Sequence, residues 1–257
     1  MTDWKKVNLY IGIPTRRGIV PETAWALETA SGELHALGAE VRKHANRLPE
    51  MDMARGNIFW EFLQSKATHL LQHDDDVSAP AHVYRRLIEA DFPIVAAPYR
   101  LKSMKIHQMV VFYRGKHLEQ EPVRGTVAVQ RIGGGFVLYT RAAVQKLADD
   151  HGIWTWGGQS GVRGLTCCMH YVDETGEYLT EDYATCERWI EEGGEVRALL
   201  DAPTVHVDGP IQMQGDFGKL WPKRLTHSVE PAPGLYTIAA RDENRSFFTN
   251  AQPPGPT

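Results

Sequence analysis

Three consecutive carboxylates, Asp74, Asp75 and Asp76, follow the short apolar run "THLLQH". Adjacent carboxylates raise the cost of ionising one another, so the triplet is either a solvated acidic turn or a cation site. Side chains alternate along extended backbone, which points Asp74 and Asp76 to one side and Asp75 to the other. A D-x-D pair of that kind can hold a divalent ion, whose charge relieves the repulsion between the carboxylates. A second constellation is "IGGGFVLYT", where Gly133, Gly134 and Gly135 precede an apolar strand. Three glycines cost chain entropy, which argues for a backbone that something approaches closely, or for a bulge or tight bend. In "LTEDYATCERWIEEGG", Thr180 suits a helix cap, and Glu181 and Asp182 fall in the first turn, where the helix dipole favours negative charge. Tyr183, Cys186 and Ile190 would make the buried stripe, with Asp182 at its edge and able to face a cleft. Trp154 and Trp156, in the glycine-rich "GIWTWGGQSG", can stack on a ring or anchor a loop.

Charge is unevenly spread over the 257 residues, whose formal net charge is -4. Arg100, Lys102, Lys105, Arg114 and Lys116 stand in a stretch without an acidic residue, whereas the stretch from Asp173 to Glu195 is strongly acidic. Such a basic strip is a solvated edge or a surface for phosphates, of a nucleotide or a polynucleotide. Hydrophobic residues at 42% and charged residues at 23% are ordinary for a globular chain with a sizeable core. No apolar run approaches the roughly 20 residues that span a bilayer, and "MTDWKKVNLYIGIP" lacks a signal-peptide layout. A cytoplasmic protein without a membrane partner is therefore expected. Cys167, Cys168 and Cys186 are odd in number and partly adjacent, which fits neither a disulfide framework nor a spaced zinc motif.

These groups need elements to position them. "VNLYIGIP" has the β-branched, apolar character of a buried strand that Pro14 stops. "VPETAWALETASGELHALG" reads as a helix, with Pro21 and Glu22 in its first turn and Gly38 at its exit. A weaker strand "AEVRKHA", a helix from Asp52 to about Ser65, the strand "THLLQH", the helix "PAHVYRRLIEA" and the strand "FPIVAAPY" follow. This βαβαβαβ order implies a parallel sheet flanked by helices, with the aspartates just beyond a strand's carboxyl end, where such sheets bind ligands. After Arg100 the segments "HQMVVFYRG" and "GTVAVQRIGGGFVLYT" read as longer, antiparallel-type strands. The helices "RAAVQKLADD" and "LTEDYATCERWIEEGG" and the strands "EVRALL" and "TVHVDG" complete the pattern.

Five motifs in this order, "IGIPT", "MARGNIFWEFLQSKATHLLQHDDDV", "GGGFVLYTRAAVQKL", "LTEDYATCERWIEEGGEV" and "VHVDG", give the chain its family likeness. Over roughly residues 7 to 217 it resembles the GT-A glycosyltransferases, especially the small family-2-like enzymes of bacteriophage genomes. The resemblance implies an α/β, Rossmann-like nucleotide-sugar-binding sheet flanked by helices, with a smaller antiparallel acceptor-side portion. It implies one domain over residues 1–245, with a nucleotide-binding half at 1–100, an acceptor-side half at 101–245 and a flexible tail at 246–257. It places Pro14, Thr15, Arg17, Arg55, Asp74, Asp75, Gly134 and Gly135 against the nucleotide sugar, although Pro14 also reads as a strand stop and Arg55 as a surface helix residue. It assigns Asp76, His206 and Asp74 to a metal ion, where a histidine without this motif would be an ordinary packed residue. Oxygen donors with one imidazole suit Mn²⁺ better than Mg²⁺, which is the second choice. By the same resemblance Asp182 of the "ED" pair is the catalytic base, and Trp154, Trp156, Glu181, Lys102 and Lys105 lie on the acceptor side.

The expected activity is transfer of a sugar from a nucleoside diphosphate donor, UDP first among them, to an acceptor hydroxyl with inversion. A hydroxymethylated pyrimidine in phage DNA, a protein and a polysaccharide all stand open as acceptor, and the basic strip from Arg100 to His117 would meet DNA phosphates. A nucleotidyltransferase shares the α/β layout but normally carries a glycine-rich phosphate loop after its first strand, and "IPTRRGIVP" is a poor one. A non-catalytic nucleic-acid-binding module explains the strip and leaves Asp74, Asp76, Asp182 and His206 without a joint purpose.

Overall fold

The structure, a computed structural model of the chain, describes residues 2–102, 108–113, 121–157, 161–208, 211–216 and 236–239. Lys105, Arg114, Lys116 and the expected tail at 246–257 lie outside the described residues.

The first part of the chain alternates as its hydrophobic pattern requires. Strand β1 (Asn8–Pro14) leads to helix α1 (Pro21–Leu37), β2 (Glu40–Asn46), α2 (Met51–Gln64), β3 (His69–His73), a short β4 (Val77–Ser78), α3 (Ala81–Ala90) and β5 (Ile94–Ala96). Then come β6 (Gln108–Tyr113), β7 (Thr126–Val129), β8 (Arg131–Ile132), β9 (Phe136–Thr140) and helix α4 (Arg141–His151). A hairpin of β10 (Ile153–Trp156) and β11 (Val162–Leu165) and a second of β12 (Tyr171–Val172) and β13 (Tyr178–Leu179) precede α5 (Glu181–Glu191). The strands β14 (Val196–Leu199), β15 (Pro203–Asp208), β16 (Ile211–Asp216) and β17 (Tyr236–Ala239) complete the order.

The main sheet has seven strands in the order β2-β1-β3-β9-β5-β14-β7. β1 pairs in parallel with β2 and β3, and β5 in parallel with β14. The expected parallel neighbourhood of β3 and β5 is corrected, because β9 is inserted between them and runs antiparallel to both. Its sequence explains the place: Phe136 to Tyr139 are buried on both faces, as a central strand requires. The single long strand expected over "GTVAVQRIGGGFVLYT" is likewise three, with the glycine run separating β8, in a small sheet with β6 and β17, from β9 in the main sheet.

Alternation along the strands sends side chains into two cores. Leu9, Ile11, Leu71 and Leu138 join Leu27, Leu34, Val83 and Leu87 of α1 and α3 on one face. Tyr10, Leu70, Val137 and Tyr139 join Ile58, Phe59 and Phe62 of α2, Leu147 of α4 and Trp189 of α5 on the other. α2 comes unusually close to β1 because the strand carries Gly12 at the crossing, where a Cβ would stand 2.2 Å from Cγ2 of Ile58. Among the described residues, no helix is long and apolar enough to cross a membrane.

Candidate active site

The carboxyl ends of β1 and β3 lie side by side, and the aspartates turn away from the sheet there. Backbone bonds hold that turn on three sides. Asp74 N–H donates to Gly135 O at 2.8 Å, Val20 N–H to Asp75 O at 2.9 Å, and Val207 N–H to Asp76 O at 2.8 Å. The three side chains consequently part company, and each meets a different neighbour.

Asp74 turns inward. Its Oδ1 accepts from Arg55 Nη2 at 2.8 Å, and Arg55 Nε donates to Glu181 Oε1 at 3.1 Å. The same guanidinium donates from Nη1 to the carbonyl of Gly134 and, at 3.4 Å, to Gln72 Oε1. Arg55 is 4% exposed, so the expectation of a surface helix residue gives way to a buried cation at the join of α2, β3, the glycine run and α5. Burial opposes its charge, but Asp74 and Glu181 outweigh that cost and hold its pKa above the ordinary arginine value. Burial pushes the Asp74 and Glu181 carboxyls upward, and Arg55 pulls both back down.

Asp182 belongs to the same network. Its Oδ2 accepts from the Gly134 N–H at 3.0 Å, while Oδ1 accepts from Tyr183 N–H at 2.9 Å and Thr180 Oγ1 at 2.5 Å. The glycine run is needed for this packing. A Cβ at Gly134 would stand 2.7 Å from Arg55 Nη1 and 3.0 Å from the Asp182 Cβ; one at Gly135 would stand 2.2 Å from Asp74 Oδ2. The close approach expected of these glycines is therefore met by the protein's own side chains.

Asp75 and Asp76 face a cavity of about 330 Å³. Pro14, Thr15, Arg16, Arg17 and Gly18 form one wall, Met51 and Ala54 of α2 another, and Lys102, Val207 and Asp208 a third. Burial raises the Asp75 carboxyl, with a hydrogen bond from Thr15 opposing it. Asp76 is held between two donors: Lys102 Nζ at Oδ2, and His206 Nε2 3.3 Å from Oδ1. Burial raises its pKa, but the bonds from His206 and Lys102 more than reverse this, so it lies below the usual value.

β15 brings His206 here by pairing with β4, directly after the acidic turn, in the register His206 to Val77. The ring is oriented from behind: Nδ1 lies 2.6 Å from Arg100 O, a group that only accepts, so Nδ1 carries the hydrogen. Nε2 is then the nitrogen turned towards Asp76: with a hydrogen it bonds Oδ1, and without one it offers the lone pair that metal-binding histidines use. Two donors about 2.2 Å from one ion at a right angle would be about 3.1 Å apart, so the observed 3.3 Å fits a shared divalent cation. Among the described residues no cluster supplies a third His, Cys, Asp or Glu donor. Oδ1 of Asp74, the third expected ligand, is engaged by Arg55.

Trp154 packs its indole on Gly164 and beside Gly56 of α2, as part of the β10–β11 hairpin where a loop was expected. Trp156, next along the same face, is 45% exposed. Lys102, expected towards the acceptor, reaches Asp76 instead. Sequence reasoning passed over Gln72, which exchanges hydrogen bonds with Arg55 in both directions, and Tyr99, whose OH accepts from the Gly135 N–H at 3.1 Å while its ring meets His206 edge-on at 5.0 Å. Their only signal was an apolar strand interrupted by a polar residue, "LLQH" and "AAPY".

No family model matches the chain, and no curated protein does. Among solved structures it is similar to A197 from STIV, at 14% identity and a TM-score of 0.50, over 95% of this chain and 99% of that one. The mannose-1-phosphate geranyltransferase of Thermus thermophilus aligns at 13% identity and 0.36, over 57% of this chain and 61% of its own. The inositol-1-phosphate CTP transferase of T. maritima aligns at 10% and 0.38, over 80% and 91%. The likeness to A197 is one of fold alone, a mixed α/β, Rossmann-like sheet flanked by helices.

Proposed function

We propose that the chain is a GT-A-type glycosyltransferase that moves a sugar from a nucleoside diphosphate donor, with UDP the expected nucleotide, to an acceptor hydroxyl with inversion. The observation that supports this most is the placing of Asp76 at a cavity beyond the carboxyl ends of β1 and β3 with His206 Nε2 3.3 Å from its Oδ1, and of Asp182 in the adjoining Arg55–Asp74 network.

Pro14, Thr15 and Arg17 would border the nucleotide, with Asp75 on the same cavity. Asp76 and His206 would hold Mn²⁺, or Mg²⁺ less well. Such an ion supplies positive charge opposite the departing diphosphate. Lys102 and Arg17 add cationic groups to the lining of the same cavity. The acceptor oxygen bonds to the anomeric carbon, the bond from that carbon to the phosphate oxygen breaks, and its electron pair leaves with the nucleoside diphosphate. The hydroxyl proton passes to Asp182, whose Oδ2 has one hydrogen-bond donor and so keeps a lone pair for it.

The test is a panel of nucleotide sugars with Mn²⁺, assayed for free nucleotide, first in water and then with hydroxymethylated DNA and with oligosaccharides. Release of a nucleoside diphosphate from one donor is expected. Pyrophosphate release from a nucleoside triphosphate and a sugar phosphate, with no donor turned over, would make the chain a nucleotidyltransferase instead.

A further inference from the structure

Two ties join α2 to the chain that leads into α5, one turn apart. The first is the Arg55–Glu181 ion pair at 3.1 Å. The second is a hydrogen bond from His170 Nδ1 to Asp52 Oδ2 at 2.9 Å. Asp52 precedes Arg55 by three residues, one turn of helix or about 5 Å along its axis. Tyr178 precedes Glu181 by the same number, and its ring lies 5.5 Å from that of His170. The second tie thus stands one turn of α2 before Arg55, with Tyr178 beside it three residues before Glu181, the neighbour of the candidate base; the glycosyltransferase reading leaves the acceptor unassigned there.

The two ties differ in what they offer. Arg55 is buried with every side of its guanidinium engaged. Asp52 is 8% exposed and spends its other oxygen on the Met53 N–H, but the His170 side chain is 49% exposed. Because an ionised carboxylate only accepts, Nδ1 carries the hydrogen, and the half-exposed ring is held with Nε2 as its remaining polar atom. Tyr178, 58% exposed, and Val172, 60% exposed, stand directly opposite each other in the β12–β13 pair and extend the surface. An oriented ring nitrogen beside an exposed ring is the equipment for a hydroxyl-bearing ring: a hydrogen bond for the hydroxyl, which both donates and accepts, and a face for the C–H groups. The packed Trp154 no longer competes for that part.

Charge chooses between the acceptor classes. Between Arg163 and Arg188 the chain carries six acidic residues and no lysine or arginine. Glu177 and Glu187 turn inward to the buried Arg131, and Glu181 to Arg55, while Asp173 folds over its own turn through Thr175 and Glu177. No residue of the segment answers a phosphate, and polynucleotide binding needs several cations. We propose that Asp52, His170 and Tyr178 form the acceptor-binding surface, and that the acceptor is an uncharged, hydroxyl-bearing ring of the saccharide class. This rests on the transferase reading above.

The probe is an array of neutral oligosaccharides, with duplex DNA carrying 5-hydroxymethylcytosine in parallel and a separate UDP titration. Wild-type protein should capture a glycan, and Tyr178→Ala and His170→Ala should each weaken capture by about tenfold or more. His170→Gln, which can return an acceptor oxygen to the position of Nε2, should recover part of it. Both side chains are exposed, so matched melting curves separate lost recognition from lost fold. No glycan capture by the wild type, capture unchanged in both alanine variants, or transfer to the hydroxymethylated DNA alone would each overturn the inference. UDP binding without glycan capture removes this surface and leaves the donor reading; glycan capture without UDP binding does the reverse.

Discussion

The backbone N–H of Gly134 donates to Oδ2 of Asp182 at 3.0 Å, while the carbonyl of the same glycine accepts from Arg55. One residue of the glycine run therefore sets both the candidate base and the buried cation behind it. Three segments that stand far apart in the chain meet on a backbone without a side chain, and a methyl group there would displace Arg55 and Asp182 together. The acidic turn is tied in as well, since Arg55 also holds Asp74.

Arg55 is the member whose loss should be felt most in stability. Arg55→Ala leaves Asp74 and Glu181 buried without their cation, a change that costs about 3–5 kcal/mol in comparable networks. Arg55→Lys keeps the charge, but one ammonium cannot serve Asp74, Glu181 and the Gly134 carbonyl at once, so an intermediate loss is expected. Denaturant unfolding of the three proteins checks this. Alanine melting like the wild type would show that the network contributes little.

Asp76 is contested between Lys102 and His206, and a divalent ion would have to share it. Asp76→Asn and His206→Ala should each weaken Mn²⁺ binding in the presence of UDP by tenfold or more, on the order of 1.4 kcal/mol. Lys102→Met should act oppositely and strengthen it, by up to about fivefold, since a partly exposed pair is worth up to about 1 kcal/mol. Calorimetric titrations unchanged across all three variants would place the ion elsewhere.

His73 precedes the acidic turn and is fully buried, with Nδ1 2.8 Å from Asp74 O and Nε2 2.9 Å from Tyr84 OH. Burial lowers its pKa to about 4, against weaker opposition from the Asp74 carbonyl and the Asp76 charge. Between that value and the ordinary 6.5, the unfolded chain takes up a proton that the folded chain refuses. The sign follows: the neutral ring's contribution is intact above about pH 6.5 and is lost as pH falls towards 4, a span worth about 3 kcal/mol. His73→Gln should flatten the stability–pH curve over that window in urea melts. An unaltered slope would mean the ring titrates normally in the folded protein.

How much of this was legible beforehand differs from element to element. Pro14, Pro21 and Gly38 punctuate their elements as local chemistry requires, so β1 and α1 lie where the sequence puts them. The insertion of β9 between β3 and β5 was not legible, because an apolar run such as "FVLYT" announces burial and not its neighbours or direction. Asp74 and Asp76, expected on one side with Asp75 on the other, are parted: Asp74 turns inward to Arg55, while Asp76 faces the cavity together with Asp75. Alternation along the backbone says which way a side chain starts, whereas the choice of Arg55 for Asp74 depends on how closely α2 approaches β1 over Gly12. The helix start at Thr180, Glu181 and Asp182 was readable, yet Glu181's tie to Arg55 spans 126 residues, beyond any local pattern.

Asp182 separates a structural carboxylate from a chemical one. Asn at this position can still accept from Tyr183 N–H and Thr180 Oγ1, but its amide would face the Gly134 N–H, donor against donor. Asp182→Asn should therefore cost about 1–3 kcal/mol of stability whatever its role. If it takes the acceptor proton, turnover should also fall by about 10²-fold or more while UDP binding persists, because the variant keeps the shape and loses the base. Glu181→Gln is the control: it gives up the charge on the Arg55 pair and should lose stability with turnover within about tenfold of wild type. Turnover, melting and UDP titration on both variants decide the matter. Near-normal turnover in Asp182→Asn, or an equal collapse in Glu181→Gln, would move the base to another residue.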